Sequence, residues 1–358
     1  MKWNSLMKIQ LNKAIYLLSL LFVSQASLAL DWSETNKAIT DEFAIPRFEQ
    51  LLDSSKQLMT QTETFCQKGG EEEFEKTREK FHKMMDAWQG IQILRTGPAE
   101  LLMRNFRIEM WPDRSNTGAK QIRKLLADKN PDALKPEVFS RSSTAVQGLS
   151  AIERIMFAKD IQASEFQAGG KANYRCQLLQ AITVNLNTIS TDLLKDWQTT
   201  YKETITVQSE KNEAFASHKE VASAFLKEAT TQLQAIYDQK FKRPFDDKRF
   251  RPKRAESWRS GRSLRNITLN LESVQALFET GFNPHLKDEA LKKKLDAEFK
   301  QAIKTGKTFT MPLLKAHEEK TEALKKWMDE VSQLKRTVTV DVPKALDISL
   351  GFNSLDGD

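Results

Sequence analysis

The chain is poor in the residues that most often carry chemistry. Its 358 residues hold four histidines, His82, His218, His285 and His317, and two cysteines, Cys66 and Cys176. No pair of histidines flanks a glutamate at helical spacing, so the zincin arrangement of two ligands and a base on one helical face is absent. His317-Glu318-Glu319-Lys320-Thr321 lacks the second histidine. His82 with Asp86, and His285 with Glu289, have helical spacing and read as ordinary surface pairs. Two cysteines without companion histidines do not make a zinc site. A Gly-x-Ser-x-Gly elbow, a phosphate loop and a dinucleotide fingerprint are missing too. After the N-terminal segment no apolar run is long enough to cross a membrane. No recognised nucleic-acid-binding motif occurs.

What is present begins with an export signal. Lys2, Lys8 and Lys13 form a positive region, Ala14 to Val23 an apolar one, and Ser27-Leu28-Ala29 a small-x-small cleavage site. Residues 1–29 therefore read as a signal peptide, with an uncleaved amphipathic N-terminus as the alternative. No cysteine lies near the cleavage site, so a lipid-anchored form is not expected. The expected location is periplasmic and soluble. In that oxidising compartment the cysteines read as one Cys66–Cys176 disulfide, two buried free thiols being the alternative.

Formal charge is +7, with acids and bases interspersed. The exception is Lys240 to Arg265, which holds eleven Lys and Arg residues, among them Arg243, Lys253, Arg254 and Arg259. Such a run reads as a solvated loop, or as a patch for an acidic partner, an anionic ligand or membrane headgroups.

Most of the mature chain has helical period. Amphipathic stretches cover 35–65, 71–94, 146–159, 173–207, 213–237, 260–278, 287–304 and 311–335, while Pro112, Gly118, Pro131 and Pro136 predict short helices in an irregular connection. Val338 to Val342 alternates and reads as part of a short extended C-terminal tail. The fold expected is all-α: two up-down helical bundles packed together, over residues 30–208 and 209–358. Leu149, Ile152 and Ile155 match Leu271, Val274 and Leu277 in spacing, a weak sign of a diverged duplication.

One carboxylate stands out. At 100° per residue Val146, Leu149, Ile152, Ile155, Met156 and Phe157 form a broad apolar arc, and Glu153 falls inside it. A buried carboxylate needs a partner, a proton or a metal. The ordinary solution is an internal Arg or Lys. On the helix from Ser260, Ser263 and Asn270 likewise point into the apolar arc, either completing a polar pocket or bonding to backbone.

Gly148-x-Ser150-x-x-Glu153 resembles the GxHxxE signature of the imelysin-like proteins, with Ser150 where the family has histidine. Gly97-Pro98, Trp111-Pro112-Asp113, the run Glu256 to Leu264 and the ending Gly351 to Asp358 resemble further landmarks of that family, in family order. These are bacterial cell-envelope proteins associated with iron uptake and once classed as metallopeptidases. The resemblance implies two related bundles with the site where they meet. Gly148, Ser150 and Glu153 then stand on one side, Ser263 and Asn270, from the apolar arc of their own helix, on the other, and Trp111, Asp113, Trp258 and Arg262 around them.

The cofactor that the resemblance suggests is iron or another divalent metal, for which Glu153 is a candidate ligand, but the ligand set is incomplete. A hydroxyl is a poor ligand for transition metals where imidazole is a good one. The reading is therefore a non-catalytic binding protein connected with iron uptake, its partner a small ligand or an envelope protein of that system. A metal-dependent peptidase is the alternative. A purely structural protein, with Glu153 paired internally and no cavity beside it, is a third.

Overall fold

Helices dominate because apolar residues recur at three- and four-residue spacing between glycine and proline breaks. The computed structural model describes residues 31–168, 170–207, 214–246 and 249–350. The export signal, the 351–358 ending, Lys248 and the expected domain boundary near 208 lie outside the described residues.

The first set of helices comprises α1 (Trp32–Ala38), α2 (Ile45–Lys68), α3 (Glu71–Ile91), α4 (Thr117–Asp128), α5 (Gly148–Met156) and α6 (Tyr174–Gln198). The second comprises α7 (His218–Gln234), α8 (Ser263–Leu277), α9 (Glu289–Lys307) and α10 (Thr321–Arg336). The all-α class holds. Two antiparallel two-residue ladders, Gln167–Ala168 with Lys171–Ala172 and Phe245–Asp246 with Arg249–Phe250, are the strands among the described residues. No described helix is long and apolar enough to cross a membrane.

Helix α2 packs along α3 and α6, and α5 packs on both α6 and α3. Helix α8 packs on α9, α9 on α10, and α3 on α8, which joins the two sets into one compact unit from Trp32 onward. The chain order is crossed once: α1 lies against α7, so the first described helix belongs spatially with the second set.

Cys66, in the last turn of α2, bonds to Cys176, in the first turn of α6, with Cα atoms 5.7 Å apart. The bridge joins two packed helices rather than a loop and a helix. Closing a loop of 110 residues, it restricts the unfolded chain by about 4–5 kcal/mol in the entropic model.

Four expectations are corrected. Residues 338–342 are helical: Thr337–Asp341 continues α10 as a wider turn and Val342–Ala345 follows. The reason is an i, i+4 pair, Val338 and Val342, both buried on one face while Val340 points out. The 173–207 stretch breaks at Thr199, and the 311–335 stretch at Lys320, each with non-helical backbone and neither marked by glycine or proline. The run from Lys240 to Arg265 is also not a solvated loop. Lys240 is 3% exposed and Arg262 4%, each held by a carboxylate.

Candidate functional site

Helix α5 starts where only glycine fits. Gly148 has φ +73°, and a Cβ there would lie 2.3 Å from the carbonyl oxygens of both Arg107 and Ile108. The close approach brings the start of α5 under the 107–113 segment, and Ser150 Oγ donates to Met110 O at 3.2 Å. Ser150 thus fastens these two pieces of backbone together.

Glu153 is buried, as its place in the apolar arc requires, and its partner is neither Arg nor Lys. Its Oε1 accepts from the Ser260 backbone N–H at 2.9 Å and from Ser260 Oγ at 2.7 Å. A tight turn delivers that donor pair. Ser257 (φ +47°) and Gly261 (φ +71°) turn the chain, and Arg262 N donates to Ser257 O at 3.1 Å. Burial pushes the Glu153 carboxyl above its usual range, while the two Ser260 bonds and the Arg259 and Arg154 charges pull the other way.

Trp111, Pro112 and Asp113 roof the same space, across a cis Trp111–Pro112 bond. Asp113 caps α4 by accepting from Thr117 N at 2.8 Å and Gly118 N at 2.9 Å. Its Oδ2 also takes Arg154 Nη2 at 2.8 Å, which fixes the residue next to Glu153. Between α5, this roof and the 255–259 turn lies a cavity of about 450 Å³, lined by Trp111, Asp113, Ser150, Glu153 and Trp258 among others.

The remaining expected residues lie elsewhere. Arg262 bonds Asp86 and His82 and lines a separate cavity of about 810 Å³. The His82–Asp86 pair expected at the surface is thereby bridged and half-buried, and burial next to Arg262 pushes His82 down to about 4. Ser263 Oγ donates to Glu256 O at 2.6 Å, the backbone-bonded alternative for a polar residue in an apolar arc. Asn270 belongs to a buried network that composition did not reveal. Lys240 Nζ donates to Glu256 Oε2 at 2.8 Å, Asn270 Oδ1 at 2.6 Å, Gln89 Oε1 at 2.9 Å and Gln92 Oε1 at 3.1 Å. Beside it Glu109 Oε2 accepts from Trp88 Nε1, Gln89 and Gln92. Burial, with Glu256 nearby, pushes the Glu109 carboxyl up to about 8. Glu109 lines the cavity as well, so the network sits behind its wall.

The donor chemistry of the cavity does not fit a metal ion. Among the described residues no three His, Cys, Asp or Glu side chains converge on a metal-sized space. Asp113 is committed to Arg154 and a helix cap, Glu153 Oε1 to Ser260, and Ser150 to a carbonyl. The four histidines are dispersed: His82 on Arg262, His218 beside Asn36, His285 against Trp32 and His317 against Phe250. Guanidinium groups of Arg154 and Arg259 flank Glu153, and cations repel cations.

The fold and the cavity define an all-helical protein whose glycine-started helix carries a buried glutamate to a polar hollow. The sequence matches the family described as Imelysin over residues 44–338, and the chain belongs to that family. Two solved structures share the fold. An imelysin-like protein from Psychrobacter arcticum 273-4 superposes with a TM-score of 0.75 at 17% identity, over 89% of this chain and 97% of that one. A candidate iron-regulated protein A precursor from Parabacteroides distasonis ATCC 8503 gives 0.73 at 14% identity, over 88% and 95%. No curated protein shows significant similarity to the chain.

Proposed function

We propose that this protein is an exported, periplasmic, non-catalytic member of the imelysin family that binds a ligand in connection with iron acquisition. The ligand site is the 450 Å³ cavity where α5, from the first set of helices, meets the 255–259 turn that precedes α8 in the second. The observation that carries the reading is Glu153: a carboxylate buried beside a cavity and held by the two donors of Ser260. A volume of this size suits a small molecule. The description of the Parabacteroides neighbour as iron-regulated supports the connection with iron. The incomplete ligand set supports binding rather than peptidase chemistry, which needs about three protein ligands and an activated water.

The test is a calorimetric screen of the purified mature protein against metals, chelates and small metabolites, alongside Glu153→Ala. Binding that Glu153→Ala abolishes while the fold persists supports the reading. Stoichiometric zinc with chelator-sensitive cleavage of an unfolded protein replaces it with the peptidase.

A further inference from the structure

The charge around the cavity is lopsided. Six cationic side chains line it: Arg114, Arg154, Arg243, Lys253, Arg254 and Arg259. Three carboxylates of the lining face them, Glu109, Asp113 and Glu153, while Arg114 and Arg254 also interact with groups of their own. The imbalance is larger in practice, because Glu109 is pushed up to about 8 and keeps much of its proton at neutral pH. Asp113 forms its ion pair with Arg154. Arg243, Lys253 and Arg259 make no ion pair among the described residues.

The arrangement of these cations suits an oxyanion. Arg259 lies on the Trp258 ring with Cζ 4.3 Å from its centroid, and Lys253 Nζ is 5.7 Å from the same ring. The indole face holds both groups at the cavity wall without neutralising them. Arg243 is pressed by the charges of Arg114 and Arg254, and burial together with that repulsion lowers its pKa from the ordinary value. Arg243, Lys253 and Arg259, which have no ion pair at a concave wall, carry a cost that an anion removes. Guanidinium groups bind carboxylate and phosphate through paired N–H donors. A single negative charge would answer one of Arg243, Lys253 and Arg259 and leave the other two without an ion pair.

We propose that the cavity binds a small ligand carrying two or more carboxylate or phosphate groups, held by Arg243, Lys253 and Arg259, with Trp258 as the platform of the last two. The proposal rests on the reading of this cavity as the ligand site and names its chemistry. It also gives the connection with iron a physical form. Where the wall repels a bare cation, a ferric ion enclosed in a carboxylate chelate of net negative charge is attracted. The protein would then read the chelate's charge and supply none of the metal's ligands.

Calorimetric titration of the mature, disulfide-bonded protein with citrate, pyrophosphate, ferric citrate, acetate, spermidine and zinc chloride is the test. Citrate and pyrophosphate separate the carboxylate and phosphate sources of the shared chemistry. The expected result is binding of at least one multiply charged anion at least tenfold tighter than acetate. That binding weakens at least tenfold in Arg243→Gln/Arg259→Gln and falls steeply with added salt. The salt dependence is read on the unmodified protein, so it stands even where the double variant fails to fold.

Failure of all three multianions to bind at about 1 mM, a level that detects even weak sites, overturns the proposal. So does binding insensitive both to salt and to the double substitution. If spermidine or zinc binds instead and Glu153→Ala abolishes that binding, the anion chemistry falls while the ligand site stands. If none of the six probes binds, the site reading loses its support as well. Equal affinity for citrate and ferric citrate upholds the anion site and removes the iron form of it.

Discussion

Replacing Lys240 by methionine tests whether the buried network behind the cavity is a single unit. Lys240 is 3% exposed and Glu256 2% exposed, with Nζ 2.8 Å from Oε2. At an effective dielectric of about 20 that separation corresponds to roughly 6 kcal/mol of attraction. Taking two ions out of water costs several kcal/mol each, so the intact pair contributes little net stability. Breaking it is different. Lys240→Met leaves Glu256 buried with Asn266 Nδ2 at 2.9 Å as the bond that remains on Oε2, and removes the donor shared by Gln89, Gln92 and Asn270. The expected loss is about 3–5 kcal/mol, the cost of a buried charge left without its partner. Lys240→Met/Glu256→Gln removes that charge and should recover at least half of it. Urea unfolding of the oxidised protein, with slopes compared to confirm an unchanged transition, measures both. A loss below about 1 kcal/mol in the single variant, or a double variant no more stable than Lys240→Met, refutes the account.

Gly148→Ala should cost about 3 kcal/mol, from a left-handed backbone and a Cβ forced against the Arg107 and Ile108 carbonyls; a near-neutral effect in urea unfolding contradicts that packing. Glu109 keeps its proton up to about pH 8 when folded but only to its ordinary value of 4.5 when unfolded, so its contribution to stability falls as pH rises through that window. Glu109→Gln should therefore be more favourable, relative to the parent, at pH 8 than at pH 5; an effect independent of pH sinks the assignment. Ser150→His places an imidazole three residues from Glu153 on one helical face and should raise zinc or iron affinity above that of the parent. Adding Arg259→Gln should raise it further by removing a repelling charge, and calorimetry showing equal affinity for all three proteins would reject the electrostatic argument.

Local pattern was enough for the class of fold, for the burial of Glu153 and for the Cys66–Cys176 pair, because each follows from period, composition or elimination. A carboxylate inside an apolar arc is buried whatever the arc packs against. Neighbours in the chain also exposed the limits of pattern. Alternation from Val338 to Val342 looked extended, yet the i, i+4 pair was in the same letters and won once α7, α9 and α10 offered it a surface. The breaks at Thr199 and Lys320 carry no local signal at all.

Only the tertiary structure decided what Glu153 meets. Ser260 lies 107 residues away, and its two donors reach Oε1 because Ser257 and Gly261 turn the chain there. The basic run divided in a way composition could not foretell: Lys240 and Arg262 went inward to carboxylates, while Arg243, Lys253, Arg254 and Arg259 came to the cavity. Ser263 and Asn270 were placed near Glu153 by reasoning on helix faces, and Arg262 by the resemblance of its segment, but one side of a helix can border two different spaces. Glu109 and Lys240 gave no signal in sequence because a lone acid and a lone base read as surface until the fold removes their water. A helix period fixes which residues turn away from solvent; which of them meet is set by contacts between segments far apart in the chain, and those depend on how all the helices close together.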